Sequence, residues 1–207
     1  MPVKVSIVSG SIGSGKTSVL HAIDSLTCDC EEHIEVFTED VLQWQFYLKK
    51  FYNQPEEYVF LFQKEVESYI HRTTKRLEML DEQEEFTQVF IERSPLDVLH
   101  IFLKLNQDKM KLDDFQCLYH AMERYQERRV WKEAKYYLLQ VEPELCKCRV
   151  QIRARDGEEH IDLNYLQRLD QLYNKLAEEQ GWQIIHNGLD HSIMEVAKAV
   201  LFASQYS

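Results

Sequence analysis

Short apolar runs alternate along this chain with longer stretches in which apolar residues recur every three or four positions. The short runs are typical of strands, and the longer stretches are typical of helices with one buried face. Strands are predicted over residues 3–8, 34–38, 88–91, 136–141 and 183–186. Helices are predicted over 18–24, 41–80 with a break near 53–55, a segment from 95, 112–132, 143–152, 163–179 and from about 192. The alternation predicts an α/β fold with a five-stranded parallel sheet flanked by helices.

Length and composition indicate one domain over residues 1–207. The chain has 207 residues, of which 44% are hydrophobic, enough to bury a full core. The net charge of −11 argues against nucleic-acid or anionic-membrane partners. No apolar run approaches the roughly 20 residues that cross a bilayer. The first strand begins at Val3, where a signal peptide would otherwise lie, so we expect an intracellular, cytoplasmic protein.

The first strand leads into a phosphate-binding pattern, G-x-x-x-x-G-K-T. Its members are Gly10, Ser11, Ile12, Gly13, Ser14, Gly15, Lys16 and Thr17. The glycines let successive N–H groups point at a phosphate chain, and the helix after the loop directs its positive end at the same anion. Lys16 suits the outer phosphates, and the Thr17 hydroxyl suits a magnesium ion. The order of strand, loop and helix favours this interpretation over a chance glycine-rich turn.

Acidic and basic residues follow the next two strands at the carboxyl edge, where ligands bind in open parallel sheets. Glu39 is placed to accept a proton from an attacking hydroxyl. The alternative is a helix N-terminal acid, since Glu39 and Asp40 precede a helical run. Arg93 could orient the acceptor oxygen, and Glu92 could hold magnesium through water. The alternative for these two is a salt-bridged turn before the helix that Pro95 opens.

Three arginines lie within seven residues of an otherwise acidic chain. Arg149 and Arg153 share one helical face, and Arg155 leads into a polar loop. Guanidinium groups stabilise the charge of a transferring phosphoryl group, and a mobile segment that carries them can close over a triphosphate. We therefore predict an arginine-bearing lid over about 153–160, in preference to a solvated basic face.

An aromatic and apolar set describes the acceptor side. Phe62 and Phe102 could sandwich a flat ring, and Gln63 offers a donor and an acceptor to its edge. The full set is Trp44, Tyr52, Phe62, Gln63, Val66, Ile70, Val98 and Phe102. Each alone is as well explained by an aromatic core. The absence of an arginine cluster here favours an acceptor without a phosphate.

The cysteines suggest neither zinc nor disulfides. Two C-x-C pairs, Cys28 with Cys30 and Cys146 with Cys148, are too closely spaced within each pair for the usual zinc ligands, and they lie over a hundred positions apart. The total of five is odd. Reduced thiols are the expectation.

Taken together, the motifs resemble the deoxyribonucleoside kinase family, in the branch of deoxycytidine kinase, deoxyguanosine kinase and mitochondrial thymidine kinase. The resemblance spans nearly the whole chain. It is carried by residues 10–17, Thr38-Glu39 with Trp44, Tyr52 with Pro55, Phe62-Gln63, Glu92-Arg93-Ser94, and Arg149, Arg153, Arg155 and Glu158 followed by Tyr165-Leu166.

The resemblance implies a role for each of these residues. Glu39 would deprotonate the sugar 5′-hydroxyl, and Arg93 would hold the same oxygen. Tyr52 and Glu158 would bind the 3′-hydroxyl, while Gln63 meets the edge of the base and Phe102 its face. Lys16 and the three arginines would hold phosphates, and Thr17 with Glu92 would serve Mg²⁺ that accompanies ATP. The family also implies a homodimer, formed through helices beside the sheet.

The chain departs from the family pattern in two places and differs at the base site. Ser9 stands where an acidic residue commonly precedes the first loop glycine, and the segment between Trp44 and Tyr52 is short. Ile70 and Val98 align with the charged pair of members that prefer deoxycytidine and purines. Apolar residues there favour a pyrimidine, thymidine with deoxycytidine tolerated.

The predicted activity is transfer of the ATP γ-phosphoryl group to a deoxynucleoside 5′-hydroxyl in nucleotide salvage. A nucleoside monophosphate kinase is the nearest alternative, and it would need basic residues around the acceptor phosphate. A non-catalytic nucleotide-binding protein is the other alternative, and it would bind nucleotide without transferring phosphate.

Overall fold

A computed structural model describes residues 3–28, 33–39, 41–83 and 85–205. Its sheet has five strands, all parallel to their neighbours, in the order β2-β3-β1-β4-β5. The strands are β1 (Val3–Ser9), β2 (His33–Phe37), β3 (Thr87–Glu92), β4 (Lys135–Gln140) and β5 (Gln183–His186). This confirms the predicted five-stranded parallel sheet, with each strand within one residue of its predicted bounds.

Helices follow each strand. They are α1 (Lys16–Thr27), α2 (Val41–Asn53), α3 (Pro55–Asp81), α4 (Pro95–Asp97), α5 (Leu103–Leu105), α6 (Leu112–Gln126), α7 (Arg129–Lys132), α8 (Pro143–Arg153), α9 (Leu163–Gln180) and α10 (Ile193–Gln205). A π-helical turn, Val98–Phe102, joins α4 to α5. Short 3₁₀ turns occupy Gln107–Lys109 and Glu158–His160.

The sheet is covered on both faces, which explains why its strands are continuous apolar runs. Val8 points to one face, where it packs in a buried cluster with residues of α1 and α10. Its neighbour Ile7 points to the other face and packs with residues of α3 and α7. Helices α8 and α9 extend this second layer against β4. A further cluster joins α2, α3 and α6, and it forms the wall beside the site.

One predicted helix is wrong in its continuity. Residues 112–132 form two helices, because Arg128 takes an extended conformation at φ −68°, ψ 139°. The break turns Trp131 into the core, where its indole N–H donates to Thr74 Oγ1 at 2.8 Å. The predicted break near 53–55 is confirmed: Gln54 separates α2 from α3, and Pro55 is the first residue of α3.

Because all the strands are parallel, their carboxyl ends meet at one edge of the sheet. Residues 10–15 follow β1, and Glu39 lies two residues beyond β2. Arg93 follows β3 directly, and α8 begins three residues after β4. The fold therefore brings the segments with predicted chemistry to one place.

Candidate active site

The loop between β1 and α1 is a close-packed anion cradle. Gly10, Gly13 and Gly15 all have positive φ, a region that favours glycine. A Cβ on Gly13 would lie 2.6 Å from the carbonyl oxygen of Cys146 in α8. Gly15 precedes α1 and, having no side chain, leaves the first N–H groups of that helix uncapped by its own residue. The loop thus presents backbone donors that suit a phosphate.

Lys16 and Thr17 lie against the carboxylate of Glu92. The Lys16 ammonium donates to the carbonyl oxygens of Gly10 and Ser11, each at 3.0 Å, and lies 3.9 Å from Glu92. Burial lowers the pKa of Lys16, and the Glu92 charge opposes that shift. Thr17 Oγ1 donates to Glu92 Oε2 at 2.8 Å. The hydroxyl and the buried carboxylate are hard oxygen donors of the kind that magnesium prefers.

Glu39 and Arg93 form a buried ion pair beside that loop. Arg93 Nη2 donates to Glu39 Oε2 at 3.3 Å, and Nε lies against Oε1. The guanidinium carbon lies 3.9 Å from the ring centroid of Phe102. Burial raises the pKa of Glu39, and the attraction of Arg93 offsets that only in part. A raised pKa brings a carboxylate closer to the neutral range in which a general base works best.

Both the cradle and the ion pair open into one cavity of about 580 Å³, a size typical of small-molecule sites. Its far wall is formed by α2 and α3. The predicted acceptor residues that line it are Trp44, Tyr52, Phe62, Gln63, Val66 and Phe102. Gln63 is buried, and its Oε1 has no hydrogen-bond partner among the described residues, which leaves it free for a ligand. One face of Phe62 stacks on Phe51, at 5.3 Å between centroids.

Two predicted acceptor residues lie elsewhere. Ile70 and Val98 are fully buried in the cluster that joins α2, α3 and α6, outside the set of described residues that line the cavity. They pack behind the wall that carries Trp44 and Val66. Any influence of these two residues on a base would therefore act through the residues in front of them.

The three arginines and Glu158 close the phosphate side of the cavity. Arg149 Nη2 donates to the Asn187 carbonyl oxygen at 3.1 Å, while its buried Nη1 has no hydrogen-bond partner within the described part of the chain. Arg153 Nη2 donates hydrogen bonds to both carboxylate oxygens of Glu158, each at 2.7 Å. Arg155 Nη1 reaches the same carboxylate at 3.4 Å. Five basic side chains, these three with Lys16 and Arg93, thus line one cavity.

Residues 156–160, which follow the three arginines, contact α2. Asp156 Oδ2 accepts from Lys49 at 2.7 Å, and His160 Nε2 lies 3.1 Å from Asn53 Oδ1. Gly157 has φ +92°, and a Cβ there would lie 3.0 Å from Lys49 Cα. The segment therefore links the phosphate side of the cavity to the wall of the acceptor side.

Sequence reasoning missed several residues that shape the cavity. Asn187 follows β5 and donates from Nδ2 to the Ser14 carbonyl oxygen at 2.7 Å, which braces the phosphate loop. The rule that directed attention to Glu39 and Arg93 applies equally to the end of β5, so it could have found Asn187. The cavity is also lined by Val41, Leu48, Phe51, Asn106, Tyr165 and Ile193. Tyr165 belongs to the motifs that carry the family resemblance, although no role was assigned to it, and the other five residues carry no short motif of their own.

The structure describes four of the five cysteines. Cys28, Cys117, Cys146 and Cys148 are free thiols, and Cys30 lies outside the described residues. Burial raises the pKa of Cys146 to about 11, which keeps it a thiol. Within the described ranges, no three His, Cys, Asp or Glu side chains are grouped to hold a metal ion. Nor does any helix in those ranges have the length and apolar character of a membrane span.

The fold and the site together define a phosphate-loop kinase, whose chamber is the cavity lined by aromatic and basic side chains. The family model for deoxynucleoside kinases matches residues 6–202, and the chain belongs to that family. This confirms the resemblance drawn from the motifs.

Viral relatives and a bacterial structure match over most of the chain. Protein 029R of Invertebrate iridescent virus 3, provisionally named a kinase, is 27% identical over 83% of this chain and 81% of its own length. The thymidine kinase of Ictalurid herpesvirus 1 (strain Auburn) is 28% identical over 82% of this chain and 72% of its own. The structure of deoxyadenosine kinase from M. mycoides covers 99% of this chain, and this chain covers all of that one, with a TM-score of 0.69 at 15% identity. The last match shows that the fold is shared.

Proposed function

We propose that this protein transfers the γ-phosphoryl group of ATP to the 5′-hydroxyl of a deoxynucleoside and supplies DNA precursors in nucleotide salvage. The observation that carries the proposal is the buried Glu39–Arg93 pair, which lies in one cavity with the phosphate loop. A base and a cation positioned at the acceptor end of a phosphate cradle are the parts that this reaction needs.

In the proposed step, Glu39 accepts the proton of the 5′-hydroxyl. That oxygen forms a bond to the γ-phosphorus while the bond from phosphorus to the bridging oxygen of ADP breaks. Arg93 orients the attacking oxygen, and Lys16 with Nη1 of Arg149 neutralises charge on the phosphoryl oxygens. Tyr52 and Glu158, which line the same cavity, would bind the 3′-hydroxyl, while Gln63 and Phe102 bind the base.

Thr17 and Glu92 fit magnesium, because a hydroxyl and a carboxylate 2.8 Å apart face the phosphate cradle. Magnesium usually binds through one or two protein oxygens with substrate phosphates and water completing the shell. When bound, it would neutralise phosphate charge and lower the electrostatic cost of transfer.

We propose thymidine as the preferred acceptor, with deoxycytidine tolerated. Apolar Ile70 and Val98 back the chamber wall, and the basic side chains that line the cavity are those of Lys16, Arg93, Arg149, Arg153 and Arg155. All five come from outside α2 and α3, the wall assigned to the base. The uncharged wall also disfavours a phosphorylated acceptor and hence a monophosphate kinase.

The deciding experiment supplies ATP and magnesium with each of the four deoxynucleosides and with thymidine monophosphate. We expect transfer to thymidine and, more weakly, to deoxycytidine. A higher kcat/KM for deoxyadenosine or deoxyguanosine would overturn the base preference alone. Transfer only to the monophosphate would make the protein a monophosphate kinase, and binding without any transfer would make it a nucleotide-binding protein.

We also propose a homodimer formed through helices beside the sheet. Large apolar side chains stand exposed there, Leu61 and Met79 on α3 and Leu112 on α6. Light scattering after size-exclusion chromatography should give twice the chain mass of 24.8 kDa. A single-chain mass at micromolar concentration would contradict the dimer.

A further inference from the structure

A buried carboxylate outside the cavity organises the turn that carries Arg93. Asp97 is fully buried at the end of α4, and its Oδ2 accepts three hydrogen bonds. The donors are Ser9 Oγ at 3.0 Å, the Ser94 backbone N–H at 2.8 Å and Ser94 Oγ at 2.7 Å. Three donors converging on one oxygen suit an ionised acceptor, whose hydrogen bonds are stronger than those of a neutral one.

Arg93 needs such support because its backbone is strained. Its φ is +71°, a region that side chains other than glycine rarely enter. A residue held there is strained, and the conformation persists only where the surrounding structure over-determines it. In this conformation the side chain of Arg93 pairs with Glu39 and lies over the ring of Phe102.

The residues on both sides of Arg93 are anchored. Tyr69 Oη donates to the carbonyl oxygen of Glu92 at 3.2 Å. On the other side, Ser94 and Asp97 form a capping box in which each side chain bonds the backbone N–H of the other. The turn is thus clamped by α3 before Arg93 and by Asp97 after it.

Asp97 also joins this turn to the phosphate loop. Ser9 is the last residue of β1 and directly precedes Gly10. Its hydroxyl and the Ser94 hydroxyl donate to the same oxygen of Asp97, across two neighbouring strands. The pairing of β1 with β3 ends at Val8 and Glu92, and Asp97 extends the connection beyond it, to the residues just before the cradle and just after Arg93.

We propose that Asp97 is a positioning residue. Through Ser94 it holds Arg93 in the strained conformation that reaches Glu39, and through Ser9 it fixes that pair relative to the phosphate loop. The kinetic part of this inference rests on the proposed function, whereas the placement of Arg93 can be measured without turnover.

The test compares Asp97→Ala, Asp97→Asn and Ser9→Ala with the wild-type protein. Asp97→Asn keeps an acceptor oxygen and loses the charge, and Ser9→Ala cuts only the link to the loop. Thr74→Val is the matched control, because it removes the buried acceptor of Trp131 outside the cavity. Each variant is assayed for kcat and KM with ATP and the best nucleoside, and for melting temperature.

The second readout is the ¹⁵N–¹H signal of the Arg93 Nε–H group, which lies close to the Phe102 ring and against Glu39. The signal is assigned by its loss in Arg93→Lys. We expect Asp97→Ala to shift it and to lower kcat by about 10²-fold, since a displacement of about 1 Å costs that much. KM should change much less. Asp97→Asn and Ser9→Ala should give smaller changes in the same direction, and Thr74→Val should lower only the melting temperature.

The inference is overturned if the Asp97 variants melt lower while kcat and the Arg93 signal stay at their wild-type values. Asp97 would then be only a helix cap. If Asp97→Ala does not fold, the same comparison is decided by Asp97→Asn and Ser9→Ala. If the wild-type protein phosphorylates no nucleoside, the proposed function fails, and the Arg93 signal alone decides whether Asp97 positions that side chain.

Discussion

The ion pair of Glu39 and Arg93 is held almost entirely away from water. Each side chain is about one-tenth exposed, so the two charges depend on each other and on the groups around them. A buried pair of this kind is weak evidence for stability, because desolvation offsets much of the attraction. Its presence beside the phosphate cradle therefore points to chemistry.

Glu39→Gln should keep nucleoside binding and lower kcat by about 10²-fold or more, because an amide cannot accept the proton. The matched control is Glu35→Gln on β2, which loses a partly exposed ion pair with Arg76. Steady-state kinetics on both variants check this. Near-wild-type turnover in Glu39→Gln would remove that residue from the role of base.

The pH dependence follows from the direction of the Glu39 pKa shift. Burial raises this pKa, and the base works only when ionised, so kcat/KM should rise with pH through a value above that of an ordinary glutamate. The limb is measured as kcat/KM against pH with a saturating second substrate. An acid limb at the ordinary glutamate value would contradict a buried base.

At the residue scale, side chains at the end of a strand could be predicted, whereas contacts between strands could not. Glu39 and Arg93 could be predicted because each comes just after an apolar run. Asp97 could not, because its partner Ser9 is 88 positions away and only pairing of β1 with β3 brings them together. The same contact bears on the departure from the family pattern at Ser9, where an acidic residue is common. Here the carboxylate beside the loop comes from Asp97, which accepts a hydrogen bond from Ser9.

Among the elements, the phosphate loop is fixed by its contact with the start of α8. Gly13 lies against the backbone of Cys146, and Gly15 against the side chain of Asn187, where a Cβ would lie 2.7 Å from Nδ2. The cradle therefore depends on close packing from two later segments of the chain as well as on its own glycines.

Gly13→Ala should abolish ATP binding and destabilise the protein, by about 1–3 kcal/mol for the strained backbone and more for the clash. Gly181→Ala is the matched control: its φ is +66°, and a Cβ there meets no described atom within 4 Å. Calorimetry and thermal melting of both variants separate strain from contact. Wild-type ATP affinity in Gly13→Ala would show that the loop can move away from α8.

Most elements could be predicted because their apolar periods are set by burial on the sheet faces. Two features could not be predicted, because each depends on contacts between residues that are distant in sequence. The break at Arg128 serves the burial of Trp131, and the π-helical turn Val98–Phe102 follows a capping box and brings Phe102 beneath Arg93. Neither feature changes the spacing of hydrophobic residues along the sequence.

At the scale of the whole molecule, both ligand regions share one cavity at the carboxyl edge of the sheet. The family could be predicted because its distinct motifs occur in the family's order over nearly the whole chain. The five-stranded sheet could be predicted because each strand is a short apolar run. The placement of Ile70 and Val98 behind the cavity wall could not be predicted. Matching a residue to a family position does not show whether its side chain reaches the cavity or packs behind it.

Ligands that bind only the folded protein should stabilise it as a whole. Each should add about 2.7 kcal/mol when present at 100 times its Kd. Lys16→Ala should lose the stabilisation by ATP and keep that by a nucleoside, because Lys16 lies in the phosphate loop, whereas the proposed nucleoside site lies beside α2 and α3. Thermal melting with each ligand alone checks this. Loss of both effects in the variant would show that the two regions do not bind independently.

The edge-on contacts of Trp44 with Phe62 and Tyr69 have an optical consequence. Of the three tryptophans in the chain, Trp131 is sealed in the core and Trp182 is stacked on Tyr136, both away from the chamber. Trp44 borders the chamber. Its emission should therefore change colour and intensity as the chamber fills, which gives this protein a built-in fluorophore for following occupancy in real time.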